Sequence, residues 1–125
     1  MCGPREYLGG VKTTNSNPIM LLPEAIARYI DASNRCDATA ASACFAPEAT
    51  VRDEEQDHIG IKAIKNWISQ TIAKYQPRNT VLEVRNEGER VGLTVRVEGR
   101  FPGSPIELEF DFHLHQGKIS TLAIQ

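Results

Sequence analysis

The strongest constraint in this sequence is a run of strict alternation between apolar and polar residues in its C-terminal third. A period of two places every second side chain on one face of a β-strand. Segments 91–101 and 106–114 both follow it, and the Pro- and Gly-containing turn 102–105 separates them. The apolar positions are Val91, Leu93, Val95, Val97, Phe101, Ile106, Leu108, Phe110, Phe112 and Leu114. The sequence therefore predicts two neighbouring strands that share one buried face.

Shorter segments with strand character flank this pair. Residues 80–85 precede it, and residues 119–124 follow a turn at Gln116 and Gly117. Together they predict an antiparallel meander of about four long strands. A brief strand is expected at 50–53.

Upstream of the meander the apolar period is helical. Pro23 stands at a favourable first-turn position, and Ile26, Tyr29, Ile30 and Ser33 follow on one helical stripe. This pattern predicts the first helix.

Two more helices are expected before the meander. Asp37 is a candidate N-cap for a short second helix, which Pro47 would end. After Gly60 comes the strongest helical period in the chain, closed by Pro77. Its stripe consists of Ile61, Ile64, Trp67, Ile68, Thr71, Ile72 and Tyr75.

Helices first and sheet last predict an α+β fold, in which N-terminal helices pack into a curved mixed or antiparallel sheet and enclose an apolar pocket. With 125 residues and 41% hydrophobic content, the chain suffices for one core. Residues 1–19 lack periodicity and are expected to be a flexible leader, with Met20 as an alternative start. Residues 20–125 are expected to form a single domain.

Composition also restricts the partners. The formal charge is −2 and the basic residues are scattered, so neither nucleic acid nor an anionic membrane is expected as a partner. No apolar run reaches the length of a bilayer span and no signal peptide is recognisable, which favours the cytoplasm. Three cysteines, Cys2, Cys36 and Cys44, lack metal-type spacing and suit free thiols in a reducing compartment, with Cys44 in the core.

The order of elements and three stretches of sequence resemble a known superfamily. FAPEATVRDEE, HIGIKAIKNWI and HQGKIS are similar to the polyketide-cyclase and ketosteroid-isomerase branches of the nuclear transport factor 2 superfamily, from about Leu21 onward. The resemblance implies a cone-shaped, cystatin-like domain that holds a ligand between helices and sheet. It also covers isomerases, cyclases, dehydratases, hydrolases and binding modules, so it does not assign one reaction.

The resemblance implies two catalytic residues. ARYI puts Tyr29 where ketosteroid isomerases have their oxyanion-hole tyrosine, and ATVRD puts Asp53 where they have their general base. The third family residue is a protonated aspartic acid, and Phe110 stands at that position here. Losing one such donor typically costs about 10²–10³ in rate, so an isomerase with one donor would be slow.

The chemistry of the residues fits these roles. An aspartate facing an apolar cavity has a raised pKa and can take a proton, and a tyrosine hydroxyl can stabilise the enolate that results. We expect Asp53 and Tyr29 to act in this way, without a metal or an organic cofactor. Trp67, Phe110 and Phe112 would hold an apolar substrate, and His58 is a secondary candidate at the pocket mouth.

Simpler interpretations exist for the same residues. Tyr29 would ordinarily be a partly buried helix aromatic, and Asp53 lies in a charged run where Arg52 could neutralise it. His113 and His115 superficially resemble a metal set, but strand parity puts them on the outer face, opposite Phe110. That face suggests a homodimer through the sheet, which sedimentation would test.

Three function classes therefore remain open. The leading hypothesis is an acid–base isomerase acting on an apolar carbonyl compound. The main alternative is a non-catalytic ligand-binding or assembly domain of the same fold. A polyketide cyclase, dehydratase or hydrolase is the third class, and a hydrolase or dehydratase would need a water-activating set that the inward alternation does not offer.

Overall fold

The computed structural model describes residues 22–125, which form three helices and one six-stranded sheet. The predicted leader, 1–19, and Met20 lie outside the described residues. The helices are α1 (Glu24–Asn34), α2 (Ala38–Ser42) and α3 (Ile61–Tyr75). The strands are β1 (Phe45–Asp53), β2 (Gln56–Ile59), β3 (Arg78–Glu87), β4 (Arg90–Glu98), β5 (Ile106–His115) and β6 (Lys118–Ile124).

The predicted meander is present as β3 to β6, and it is antiparallel throughout. The full strand order is β2-β1-β6-β5-β4-β3, and β1 pairs with β6 in parallel, so the sheet is mixed. Leu93 pairs with Phe110 and Val91 with Phe112, and all four side chains are buried on the face that packs against the helices. The α+β prediction is confirmed.

Helix α1 buries its predicted stripe, and α3 buries the middle of its stripe while the two ends, Ile61 and 71–75, are partly buried or exposed. In α1 the buried positions include Ile26, Tyr29, Ile30 and Ser33, and α3 buries Ile64, Trp67 and Ile68. Helix α1 contacts β3 and β6, and α3 contacts β1 and β2. The helices therefore cover the inner face of the sheet at both ends of the strand order.

The second helix is shorter than the sequence suggests. Asp37 is its N-cap as predicted, since its Oδ1 accepts a hydrogen bond from the Ala40 N–H at 3.0 Å. The prediction that Pro47 ends this helix is wrong, because β1 already begins at Phe45 and includes Pro47. The register between β1 and β6 shifts between Phe45 and Thr50, which accommodates a residue without an N–H.

The brief strand expected at 50–53 is the end of the longer strand β1, and the charged run that contains Asp53 forms a β-hairpin. Strands β1 and β2 pair in antiparallel fashion, and Glu54 and Glu55 connect them with φ of 54° and 64°. Two consecutive positive φ values are typical of the tightest hairpin turn, which normally uses Asn or Gly. Glutamates disfavour this conformation, so the sequence gives no signal for the turn.

The cysteines differ in state. Cys44 is a buried free thiol in the core, as expected. The prediction of a free thiol is wrong for Cys36, which is disulfide-bonded. Within residues 22–125, no helix is long and apolar enough to cross a membrane.

The loop between β4 and β5 is fastened to the end of α3. The Arg100 N–H donates to the Tyr75 carbonyl at 2.7 Å, and the Phe101 ring meets the Tyr75 ring edge to face at 5.8 Å. Gly99 allows this approach, since a Cβ there would lie 2.6 Å from the Tyr75 carbonyl oxygen.

We therefore expect Gly99→Ala to reduce the free energy of unfolding by about 1–3 kcal/mol, because the loop must move away from α3. Urea unfolding measures this loss. Gly92→Ala is the matched control, since its Cβ would meet only the flexible Arg85 guanidinium at 3.2 Å. Equal stability of the two variants would contradict the packing argument.

Candidate functional site

A cavity of about 710 Å³ lies between α1, α3 and the inner face of the sheet. It has the size of a small-molecule site and a mainly apolar lining, as such sites usually do. Its walls include Tyr29 and Ser33 from α1, Trp67 and Thr71 from α3, Asp53 from β1 and Phe110 from β5. The fold thus gathers four of the six predicted site residues around one space.

Asp53 is the last residue of β1 and is partly buried. Two positions before it, Val51 is wholly buried, and strand alternation directs both side chains to the inner face. Burial raises the pKa of the Asp53 carboxyl, and the neighbouring Glu54 raises it further. A hydrogen bond from Trp67 and the proximity of His58 act in the opposite direction. The net effect is a more basic carboxylate than a solvated aspartate.

Arg52 does not neutralise Asp53. Its Nη1 lies 3.0 Å from Oδ1 of Asp57, the residue opposite it in the β1–β2 ladder. Arg52 and Asp53 are consecutive strand residues, so their side chains point to opposite faces. The structure therefore removes the simpler explanation in which this arginine holds Asp53 as an inert ion pair.

Tyr29 is buried, with 4% of its surface exposed, and its ring meets Phe45 and Phe112 edge to face. The centroid distances are 5.4 and 6.0 Å. Burial raises the pKa of the phenol, and a hydrogen bond with Ser33 partly offsets this effect. The hydroxyl consequently keeps its proton throughout the physiological range and is able to donate a hydrogen bond.

Trp67 connects α3 to Asp53. Its indole Nε1–H donates to Asp53 Oδ2 at 3.0 Å. His58 from β2 stacks on the indole with a centroid distance of 5.7 Å. His58 does not line the cavity itself, so its link to the site passes through Trp67.

The two phenylalanines differ although they share one strand face. Phe110 is 4% exposed and lines the cavity. Phe112 has no exposed surface and lies outside the lining, in contact with the Tyr29 ring. Its placement is that of a core residue behind the tyrosine, which differs from the direct substrate contact that the sequence suggested.

Several polar residues of the cavity were not predicted as site residues. Ser33 and Thr71 were recognised only as members of helix stripes, although a hydroxyl within an apolar stripe is itself a signal. Asn79 also lines the cavity, and Asn34 holds its backbone through hydrogen bonds of 2.8 and 2.9 Å. Nothing in the local sequence pattern points to Asn79, because its partner is 45 positions away.

The outer face of the sheet carries ion pairs. His113 and His115 are exposed there as parity predicted, while Asp111 pairs with Arg90 and Glu109 with Arg85. In the part of the chain that the structure describes, no group of three or more His, Cys, Asp or Glu side chains could hold a metal ion.

Comparison with known proteins agrees with this architecture. A sequence profile described as the SnoaL-like domain matches residues 26–120. Among curated proteins, none matches the chain significantly.

Solved structures resemble the chain over most of its length. A Sinorhizobium meliloti protein, provisionally described as a polyketide cyclase, is 36% identical with a TM-score of 0.83, and the match covers 86% of this chain and 98% of that one. A protein of ketosteroid-isomerase-like fold from Catenulispora acidiphila, in complex with trimethylamine, is 18% identical with a TM-score of 0.74, covering 82% and 85%. SalBIII, an epoxide hydrolase/cyclase-like enzyme of pyran ring formation in salinomycin, is 20% identical with a TM-score of 0.72, covering 81% and 86%.

Proposed function

The chain belongs to the SnoaL-like domain family, and from this premise we propose that it is an acid–base enzyme acting on an apolar carbonyl compound. One observation carries the proposal. A basic, partly buried carboxylate and a proton-bearing tyrosine line the same apolar cavity. The carboxylate can act as a general base and the tyrosine as an oxyanion donor, and both face the space that a substrate would occupy.

In the proposed reaction, the Asp53 carboxylate removes a proton from the carbon next to the substrate carbonyl. The electron pair of the broken C–H bond moves into an enolate, and Tyr29 donates a hydrogen bond to its oxygen. Protonated Asp53 then returns the proton to another carbon of the conjugated system. The product is an isomer of the substrate, and the enzyme regains its carboxylate.

Ser33 supports the role of Tyr29. It is 7% exposed, follows Tyr29 by one helical turn and makes a hydrogen bond with the phenol. If the serine hydroxyl donates to the phenol oxygen, the phenol proton remains free for the substrate. Phe110 contributes only apolar surface, so the proposed oxyanion site has a single aromatic donor.

A second candidate is a cyclase, which the 36% identical relative favours through its provisional description. The first step is the same proton abstraction. The enolate carbon then attacks a second carbonyl of the same molecule, a carbon–carbon bond forms, and the new alkoxide takes the proton from Asp53. The isomerase and the cyclase thus differ in the substrate and share the residues.

The remaining alternative is a ligand-binding or assembly domain in which Asp53 and Tyr29 only orient the ligand. Tight binding of an apolar ligand that survives Asp53→Asn, without turnover in the unmodified protein, would favour it. The predicted homodimer through the sheet remains part of the proposal, with the exposed outer face that carries His113 as the contact.

The first test is ultraviolet-monitored conjugation of a β,γ-unsaturated 3-ketosteroid by the unmodified protein and by Tyr29→Phe. We expect slow turnover that falls about 10²–10³-fold in the variant, since only the hydroxyl donor is lost. The phenylalanine ring keeps the contacts with Phe45 and Phe112, so unfolding by urea should change little. Equal turnover in both proteins would remove Tyr29 from the mechanism, and no turnover would exclude this substrate class.

A further inference from the structure

Trp67 is the one tryptophan of the chain, and it holds the side chain of the proposed base. The indole is 9% exposed, and its Nε1–H donates to Asp53 Oδ2 at 3.0 Å. This hydrogen bond joins α3 to the end of β1 across 14 positions of sequence. The Glu54 backbone also makes a hydrogen bond with this carboxyl, but among the described residues no side chain donates to the second carboxylate oxygen, Oδ1. Because Asp53 lines the cavity, we take Oδ1 as the oxygen available to a substrate.

The β1–β2 hairpin meets the indole at two points. Asp53 binds its edge, and His58 stacks on its face with 27° between the ring planes. His58 lies opposite Val51 in the ladder, so it shares the inner face of the hairpin with Asp53. The indole thus fastens the hairpin to α3 through both strands.

The hairpin needs these stabilising contacts with Trp67 because the backbone conformation of its turn is unfavourable. Glu54 and Glu55, which immediately follow Asp53, both adopt positive φ. Residues with side chains adopt this conformation only when the surrounding structure compensates for it. Without the contacts to Trp67, the side chain of Asp53 would stand at the end of a strand next to a strained turn.

We propose that Trp67 is a positioning residue that fixes Asp53 Oδ2, so that Oδ1 is the atom that takes the proton. The inference rests on the proposed role of Asp53 as the base. Trp67 itself transfers no proton, because an indole N–H is only a donor. Its contribution is to orient the carboxylate and to stabilise its charged form.

Four groups from different elements act on Asp53. Burial and the charge of Glu54 raise the pKa of its carboxyl, while the indole of Trp67 on α3, His58 on β2 and a backbone hydrogen bond from Glu54 lower it. The buried phenol of Tyr29 on α1 is the fourth group that interacts with Asp53. Removing the indole N–H leaves the other influences in place, so the pKa of Asp53 should rise further.

Trp67→Phe tests the proposal, because it deletes the N–H and keeps an aromatic ring for His58. Carboxyl carbon NMR follows the titration of Asp53 without any need for turnover, and Asp53→Asn identifies its signal. We expect Asp53 to titrate at higher pH in Trp67→Phe than in the unmodified protein. Tyr75→Phe is the matched control, because it also removes one hydrogen-bond donor from an aromatic side chain of α3. It should leave the titration of Asp53 unchanged.

The kinetic readout is the pH profile of turnover. Trp67→Phe removes a hydrogen bond to a charged group. We expect this loss to reduce turnover about 10- to 100-fold on the acid limb of the profile and less on the plateau. An unchanged Asp53 titration would overturn the proposal, whatever the turnover. A shifted titration with no turnover in either protein would support the contact and overturn only the proposed function.

Intrinsic fluorescence provides a second measurement if Trp67→Phe does not fold. Ionisation of Asp53 changes the charge 3.0 Å from the indole nitrogen, so the emission of the unmodified protein should titrate with Asp53. This component should persist in His58→Gln and disappear in Asp53→Asn. Its persistence in Asp53→Asn would overturn the proposal.

Discussion

Asp53→Asn is expected to reduce turnover about 10²–10⁴-fold, the usual contribution of a general base. Asparagine has the shape of aspartate, and its amide oxygen can still accept the hydrogen bond from Trp67. The variant lacks only the ability to take a proton. Steady-state kinetics with a carbonyl substrate measure the loss, and an active Asp53→Asn variant would exclude the proposed mechanism.

The same substitution should stabilise the fold at neutral pH. The pKa of Asp53 is raised in the folded protein above its ordinary value of 3.8, chiefly by burial. Stability from this group is therefore fully present below pH 3.8 and is lost as pH rises through the higher folded pKa. Asparagine carries no charge and avoids this loss.

Urea unfolding at several pH values tests this linkage. The gain of Asp53→Asn in free energy of unfolding should grow from about pH 4 upward and level off above the folded pKa of Asp53. A gain that is independent of pH would show that the carboxylate is not destabilised by burial. Opposite effects of one substitution on activity and stability are typical of functional sites.

Phe112→Ala is expected to reduce the free energy of unfolding by about 3–5 kcal/mol, a large fraction of the stability of a typical domain. Phe112 has no exposed surface and contacts the rings of Tyr29 and Phe110, so its removal leaves an enclosed void. Urea unfolding with an unchanged denaturant slope would measure the loss.

Phe110→Ala is the matched comparison on the same strand face. Phe110 lines the cavity, so removing its ring enlarges an existing space and should reduce stability less than Phe112→Ala. Ligand affinity should change more in Phe110→Ala than in Phe112→Ala. If both variants lost the same stability and changed ligand affinity equally, the assignment of Phe112 to the core and of Phe110 to the cavity lining would be wrong.

The sheet and the long helices could be predicted because the positions that are apolar in the sequence pattern are largely the positions that are buried in the structure. Val91, Leu93 and Val95 alternate in sequence and are all wholly buried. The β1–β2 hairpin could not be predicted, since Glu54 and Glu55 occupy a turn that propensity assigns to other residues. Tertiary contacts outweigh local preference at that point.

The candidate site was only partly accessible from sequence. Tyr29 and Asp53 were identified through the family resemblance, and the period alone indicated only a buried helix position and a strand end. The hydrogen bond between Trp67 and Asp53 joins two elements whose relative placement no local pattern encodes. The separation of Phe112 from the cavity depends on the position of the Tyr29 ring, which strand parity does not reveal.

The parallel pairing of β1 with β6 has a consequence for the order of folding. In the meander from β3 to β6 each strand pairs with the next one in sequence, whereas Val51 pairs with Leu122, which follows it by 71 positions. Contacts between distant segments close large loops and form slowly. The strand that carries Asp53 should therefore dock late, and its amides should exchange with solvent hydrogen before those of β4 and β5.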